Sequence, residues 1–149
     1  YVDGADAEMA ALGNINVAST AVADAKYREI LGGGTPKMPG DTIYETSYAP
    51  NRLTYHTSSA KGGVAVLSEI YFPWGWHATV DGQETEIGRV NYMLRAVRIP
   101  AGKHTLELRY EPQSLKTTTA TAYAAIIAIY LLVIGAVAVW CVKVYKGKE

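Results

Sequence analysis

Glu84 and Glu86 stand two residues apart in the run Gln83 to Ile87, which places both carboxylates on one strand face about 7 Å apart. That separation suits the paired acids of sugar hydrolysis. Neighbours on a single strand, however, point the same way instead of facing each other across a substrate, so the better reading is a solvated edge that discourages strand-to-strand pairing. His56, His77 and His104 fall on three different predicted strands, with no HExxH or equivalent spacing to suggest a metal site. His104 follows the turn Pro100-Ala101-Gly102, where an imidazole bonded to a turn carbonyl is the structural reading. Gly32-Gly33-Gly34-Thr35 resembles a phosphate-binding loop only in its glycines: prolines follow, and the Gly-Lys-Ser/Thr that would hold a phosphate is missing. Ser68 has no Gly-x-Ser-x-Gly elbow around it. The sequence therefore offers no catalytic residue, no metal ligand set and no cofactor site.

The elements around these residues read as a sequence of short strands. After a Gly/Pro-rich linker at 32–41, alternating segments are punctuated by turn signals every eight to twelve residues, the pattern of a β-sandwich or barrel. Seven strands are predicted: Ile43 to Tyr48, Arg52 to Ser59, Val64 to Tyr71, Trp76 to Val80, Gln83 to Ile87, Met93 to Ile99 and His104 to Tyr110. Asp81-Gly82 supplies the positive φ values of a tight hairpin, and Pro100-Ala101-Gly102 presets a second turn. Val64 to Tyr71 is apolar on both faces and is placed mid-sheet. Before the linker, residues 1–31 form a small α/β segment, with a helix at Ala5 to Leu12 and a short strand then a helical turn within Ser19 to Ile30. The fold class is mostly β: an antiparallel sandwich, jelly-roll or immunoglobulin-like, at 42–116.

Fourteen Lys and Arg balance fourteen Asp and Glu, so no basic field invites nucleic acid. The charges are segregated: none lies between Thr117 and Val142. Within that stretch the 21 residues Ala122 to Val142 span about 31 Å as a helix, the thickness of a bilayer's hydrocarbon core, and they lack the polar stripe of a buried soluble helix. Residues 117–142 are thus a predicted transmembrane helix, with Thr117 to Thr119 as hydroxyl caps on its first turn. Lys143, Lys146 and Lys148 outnumber Arg109 and Lys116 before the span, so 143–149 is read as a basic cytoplasmic tail and 1–116 as extracytoplasmic. A domain translocated ahead of its span needs an upstream signal, and the acidic start Tyr1 to Glu8 supplies none, so the chain is expected to be the C-terminal piece of a longer membrane protein. Its one cysteine, Cys141, lies inside the span and can form no intrachain disulfide.

A specific resemblance emerges from Ser68-Glu69-Ile70-Tyr71-Phe72-Pro73, Gly75-Trp76-His77-Ala78, Val80-Asp81-Gly82, Asn91, Arg95-Ala96-Val97, Pro100-Ala101-Gly102-Lys103-His104 and Tyr110-Glu111-Pro112. In order and spacing these resemble the C-terminal region of the YfhO family of polytopic bacterial membrane proteins, which also has a hydrophobic helix next. The family is similar to glycosyltransferases that use lipid-linked sugars on cell-envelope polymers. The resemblance implies that Trp76, Asp81, Gly82, Pro100, Gly102 and His104 belong to a structural motif. The catalytic acids assigned to the family lie in loops among earlier membrane helices, so none carries over. The chain departs from the usual Tyr-Pro-Gly-Trp pattern at Trp74, inserted between Pro73 and Gly75.

Two function classes follow. One is a non-catalytic extracytoplasmic domain of a membrane glycosyltransferase, partnered by the bilayer, by the upstream membrane part and by a glycan or lipid-linked sugar. The other is a membrane-anchored carbohydrate-binding or adhesion module. In either, Trp76 shares a strand face with Ala78 and Val80 and should anchor the core, whereas Trp74 lies where the backbone turns. Trp74 is the candidate surface contact.

Overall fold

The computed structural model describes residues 1–146, which divide into two compact units, 1–111 and the part from Pro112 onward. Lys148 lies outside the described residues. The first unit carries helices α1 (Ala5–Leu12) and α2 (Arg28–Leu31) and eight strands: β1 (Thr42–Ala49), β2 (Arg52–Ser59), β3 (Gly63–Ile70), β4 (Trp76–Val80), β5 (Gln83–Thr85), β6 (Ile87–Val90), β7 (Leu94–Ile99) and β8 (Gly102–Tyr110). All pairings are antiparallel, in a five-stranded sheet ordered β1-β2-β8-β4-β5 and a three-stranded sheet ordered β3-β7-β6. The fold is the mostly-β sandwich expected.

Strand alternation builds the core. Leu53 and Tyr55 of β2, Ala78 of β4 and Leu106 and Leu108 of β8 face Leu67 of β3 and Val97 and Ile99 of β7. A second cluster lies on the outer face of the three-stranded sheet, where Ala23, Tyr27 and Leu31 cover Val90 and Ala96. Gly88 makes that layer possible: a Cβ there would stand 2.8 Å from Leu31, far inside van der Waals contact. Residues 1–31 are therefore a covering layer of the sandwich.

The structure corrects four details. The run Gln83 to Ile87 is not one strand: it breaks at Glu86, where the chain leaves the five-stranded sheet so that Ile87 can pack on the main core in the other. The strand Val64 to Tyr71 is an edge strand, not a central one. It is apolar on both faces because Ala65 and Leu67 meet one core while Val64 packs on the cluster made with residues 23–31. No strand forms between Ser19 and Ile30, only an isolated bridge from Asp24 to Val2. Asn91 takes up the backbone of Val22 instead, its side-chain oxygen accepting from Val22 N (2.9 Å) and its own N–H donating to Val22 O (2.7 Å). Finally, the threonines do not cap the long apolar helix. α3 runs Gln113–Lys146 and begins directly after Pro112, so Thr117 and Thr121 are interior and return their hydroxyls to the carbonyls of Gln113 and Thr117.

α3 is long and apolar enough to cross a membrane.

Candidate functional site

The strand registers sort six loops of the sandwich to one of two ends. Pairing of Ser59 with Gly102 and of Gly63 with Ile99 puts the turns 60–62 and 100–101 at one end, together with Asp81-Gly82. Pairing of Ala49 with Arg52, Ile70 with Leu94 and Trp76 with Tyr110 puts the loops 50–51, 71–75 and 91–93 at the other, where β8 leaves for Pro112.

At the first end the turns are polar and tight. Asp81 (φ 50°) and Gly82 (φ 82°) have the two positive values of a type I′ turn. Asp81 also fastens the neighbouring turn: its carboxylate accepts from Thr105 N (2.8 Å) and from His104 Nδ1 (2.6 Å). His104 Nε2 lies 3.0 Å from Ala101 O, so both ring nitrogens meet groups that only accept, an arrangement that favours the imidazolium. The bond to Asp81, then that to Ala101, raises the His104 pKa, and the bond from His104 lowers that of Asp81. Gly102 passes beneath the ring, where a Cβ would stand 3.1 Å from Nε2. His104, Asp81, Gly82 and Gly102 thus form one turn-locking unit.

The other end is aromatic. Trp74 is exposed and sets its ring edge-to-face against Phe72, centroids 5.1 Å apart. Trp76 turns inward, packs on the main core and stacks with Tyr110 at 5.2 Å. The Arg95 guanidinium sits 3.9 Å over the Trp76 ring, and its Nε donates to Ile70 O (3.0 Å). Deeper in, Tyr55 donates to Glu69 (2.9 Å). Burial, followed by that carboxylate, pushes the Tyr55 pKa well above its ordinary value. Burial lowers the Arg95 pKa, and Glu69 opposes the change. One Glu69 oxygen and Arg95 Nη1 are buried without a protein partner, so polar capacity remains beneath this end of the core.

Beside the aromatic loop lies a cavity of about 300 Å³ walled by Tyr71, Phe72 and Trp76 and bordered by His77, Glu84 and Glu86. Aromatic faces with carboxylate acceptors can take a hydroxyl-bearing ring. A larger cleft of about 670 Å³ runs between residues 17–21, the linker and β3; Lys37 and Asp41 are the charged residues on its wall. Among the described residues no three His, Cys, Asp or Glu side chains gather as a metal site.

The aromatic end has a second support that composition does not advertise. Glu8 of α1 is buried, and its carboxylate accepts from Arg89 Nη2 (2.9 Å) and from the backbone N–H of Tyr92 (2.8 Å). Tyr92 has φ 68°, a strained value for an aromatic residue, and the buried carboxylate holds it there. Glu8 sits in an Ala-rich run and gives no sequence signal. Arg95 does give one: strand parity puts it in line with Val97 and Ile99, on the core face.

Compared with known families, residues 40–122 match the family described as bacterial membrane protein YfhO, a region running from the linker's end through all eight strands and into α3. No curated protein and no solved structure matches the chain.

Proposed function

The chain belongs to the YfhO family of bacterial membrane proteins, and from that membership we propose that residues 1–116 are a non-catalytic extracytoplasmic domain of a protein that glycosylates cell-envelope polymers with lipid-linked sugars. The domain helps to shape or cover the acceptor entrance above the bilayer. α3 carries the chain through the membrane over 117–142, and the tail 143–149 is cytoplasmic. The observation that carries this reading is the family match, which includes the whole sandwich and continues into the apolar helix. The lysines after the span support the orientation, because flanking cations resist translocation. Partners in this reading are the bilayer, the upstream membrane part of the same protein and a glycan or lipid-linked sugar.

Thiol labelling tests the topology. In a Cys141→Ser chain in intact cells, an impermeant reagent should modify a cysteine at Lys61 and spare one at Lys148; the reverse pattern would end the proposal.

The cavity walled by Tyr71, Phe72 and Trp76 favours a second reading, a membrane-anchored carbohydrate-binding or adhesion module. In that case soluble oligosaccharide should saturably change tryptophan emission of the full chain, and Glu84→Gln should weaken the response.

A further inference from the structure

We propose that the aromatic end of the sandwich is a membrane-contact surface, on which Phe72, Trp74, Tyr48 and their neighbours rest in the lipid headgroup layer. Six large apolar or aromatic side chains are exposed there: Tyr48, Ile70, Phe72, Trp74, Tyr92 and Met93. They come from three separate loops and strand ends, so the patch is a feature of the fold and not of one flexible segment. Backbone bonds knit those loops into one platform. Tyr71 N donates to Met93 O (2.6 Å), Tyr110 N to Asn51 O (2.8 Å) and Glu111 N to Gly75 O (2.6 Å).

The occupant follows from where the chain goes next. The Gly75–Glu111 bond ties the Trp74 loop to the residue just before Pro112, where α3 begins. The charge-free stretch 117–142 covers about 39 Å as a helix, close to the 40–45 Å of a bilayer with its headgroups, so Thr117 falls near the outer headgroup boundary. From Glu111 to Thr117 the chain measures at most about 13 Å, two extended residues and one helical turn. Trp74 is therefore tethered within reach of the headgroups. Its chemistry suits them: Trp and Tyr rings carry an apolar body and a polar tip, which is why they gather at the membrane interface. Arg52 and Arg109, both half-exposed around the shared Glu107, stand on the five-stranded sheet at this same end and can meet lipid phosphates.

The inference rests on the reading of α3 as a membrane span, and the test separates the two. The full chain is placed in vesicles of phosphatidylglycerol and phosphatidylcholine, the latter brominated near the glycerol end or near the terminal methyl of its acyl chains. One variant keeps only Trp74 (Trp76→Phe, Trp140→Phe) and another keeps only Trp140. Trp74 should lose emission to the shallow bromines and little to the deep ones. Unquenched Trp74 beside quenched Trp140 would overturn the surface and leave the span standing; if neither is quenched, the span fails too. Should Trp76→Phe not fold, an environment-sensitive dye on Tyr48→Cys in a Cys141→Ser chain answers instead: its emission should shift to the blue on vesicles, and an unchanged spectrum would overturn the proposal.

Discussion

The two ends of the sandwich are made by the same strands and solve opposite problems. At the Asp81 end the loops are as short as the turns allow, and polar groups close them: Asp81 spans two turns, His104 donates on both sides, and Gly82 and Gly102 adopt φ values of 82° and 122° that side chains resist. At the Trp74 end one loop, 71–75, is longer and large side chains are spent on the surface, while a buried Glu8 and three cross-loop backbone bonds hold the loops in place. The contrast separates two uses of polar chemistry. At one end it completes the fold; at the other it supports a surface that the fold does not need for its own core.

Four substitutions test that contrast, beginning with the largest expected effect. Trp76→Ala removes the ring that joins the core to Arg95 and Tyr110, and thermal melts should show a loss of about 3–5 kcal/mol. A loss below about 1 kcal/mol would mean that the aromatic loop and the core are independent. Glu8→Ala leaves the Arg89 guanidinium partly buried without its carboxylate and frees the strained Tyr92; because Arg89 can rehydrate in part, the expected cost is about 2–3 kcal/mol. Hydrogen exchange should locate that effect in residues 91–93, and loosening at 100–102 instead would break the distinction between the ends.

His104→Asn acts at the polar end and depends on pH. His104 has a folded pKa above its ordinary 6.5, so its stabilisation is complete below that value and fades as pH rises through the raised one. Asp81 has a folded pKa below its ordinary 3.8, so its share is present above that value and is lost as pH falls through the lowered one. The melting gap between the parent chain and His104→Asn should therefore be widest near about pH 5 and narrow toward alkaline pH. A gap that widens above neutrality would contradict the ion pair. The smallest effect belongs to Trp74→Ala, which should cost under about 1 kcal/mol because its indole is exposed. A loss matching that of Trp76→Ala would show that the loop has been assigned the wrong way round.

Much of this architecture is legible in the sequence because its signals are local. Period-two alternation marks β8, Asp81-Gly82 marks a hairpin, and the charge-free run marks the apolar part of α3. What resists reading depends on partners far along the chain. β3 is apolar on both faces, which looks like a central strand, yet on the second face only Val64 is covered, by the cluster made with residues 23–31 from outside the sheet, while Val66 and Ile70 stay exposed. The break at Glu86 reflects competition between two sheets for Gln83 to Ile87, and no single residue there announces it. Glu8 is hidden in the same way: an acid in an Ala-rich helix reads as solvated until Arg89 and Tyr92 close on it from more than eighty residues away. The aromatic end is likewise a product of topology, since Tyr48, Ile70, Phe72, Trp74 and Met93 come to the same end only after β1, β3, β4 and β7 have paired.

The claim that these two ends face different media is tested most directly by spin labels on the full chain in vesicles, one at Met93→Cys and one at Lys61→Cys, both in a Cys141→Ser background. β3 alone separates the two ends by about 26 Å. The label at 93 should be relaxed by oxygen, which concentrates in lipid, and shielded from a water-soluble nickel complex, while the label at 61 should show the opposite preference. Equal access of both labels to the nickel complex, or a preference reversed between them, would contradict the account.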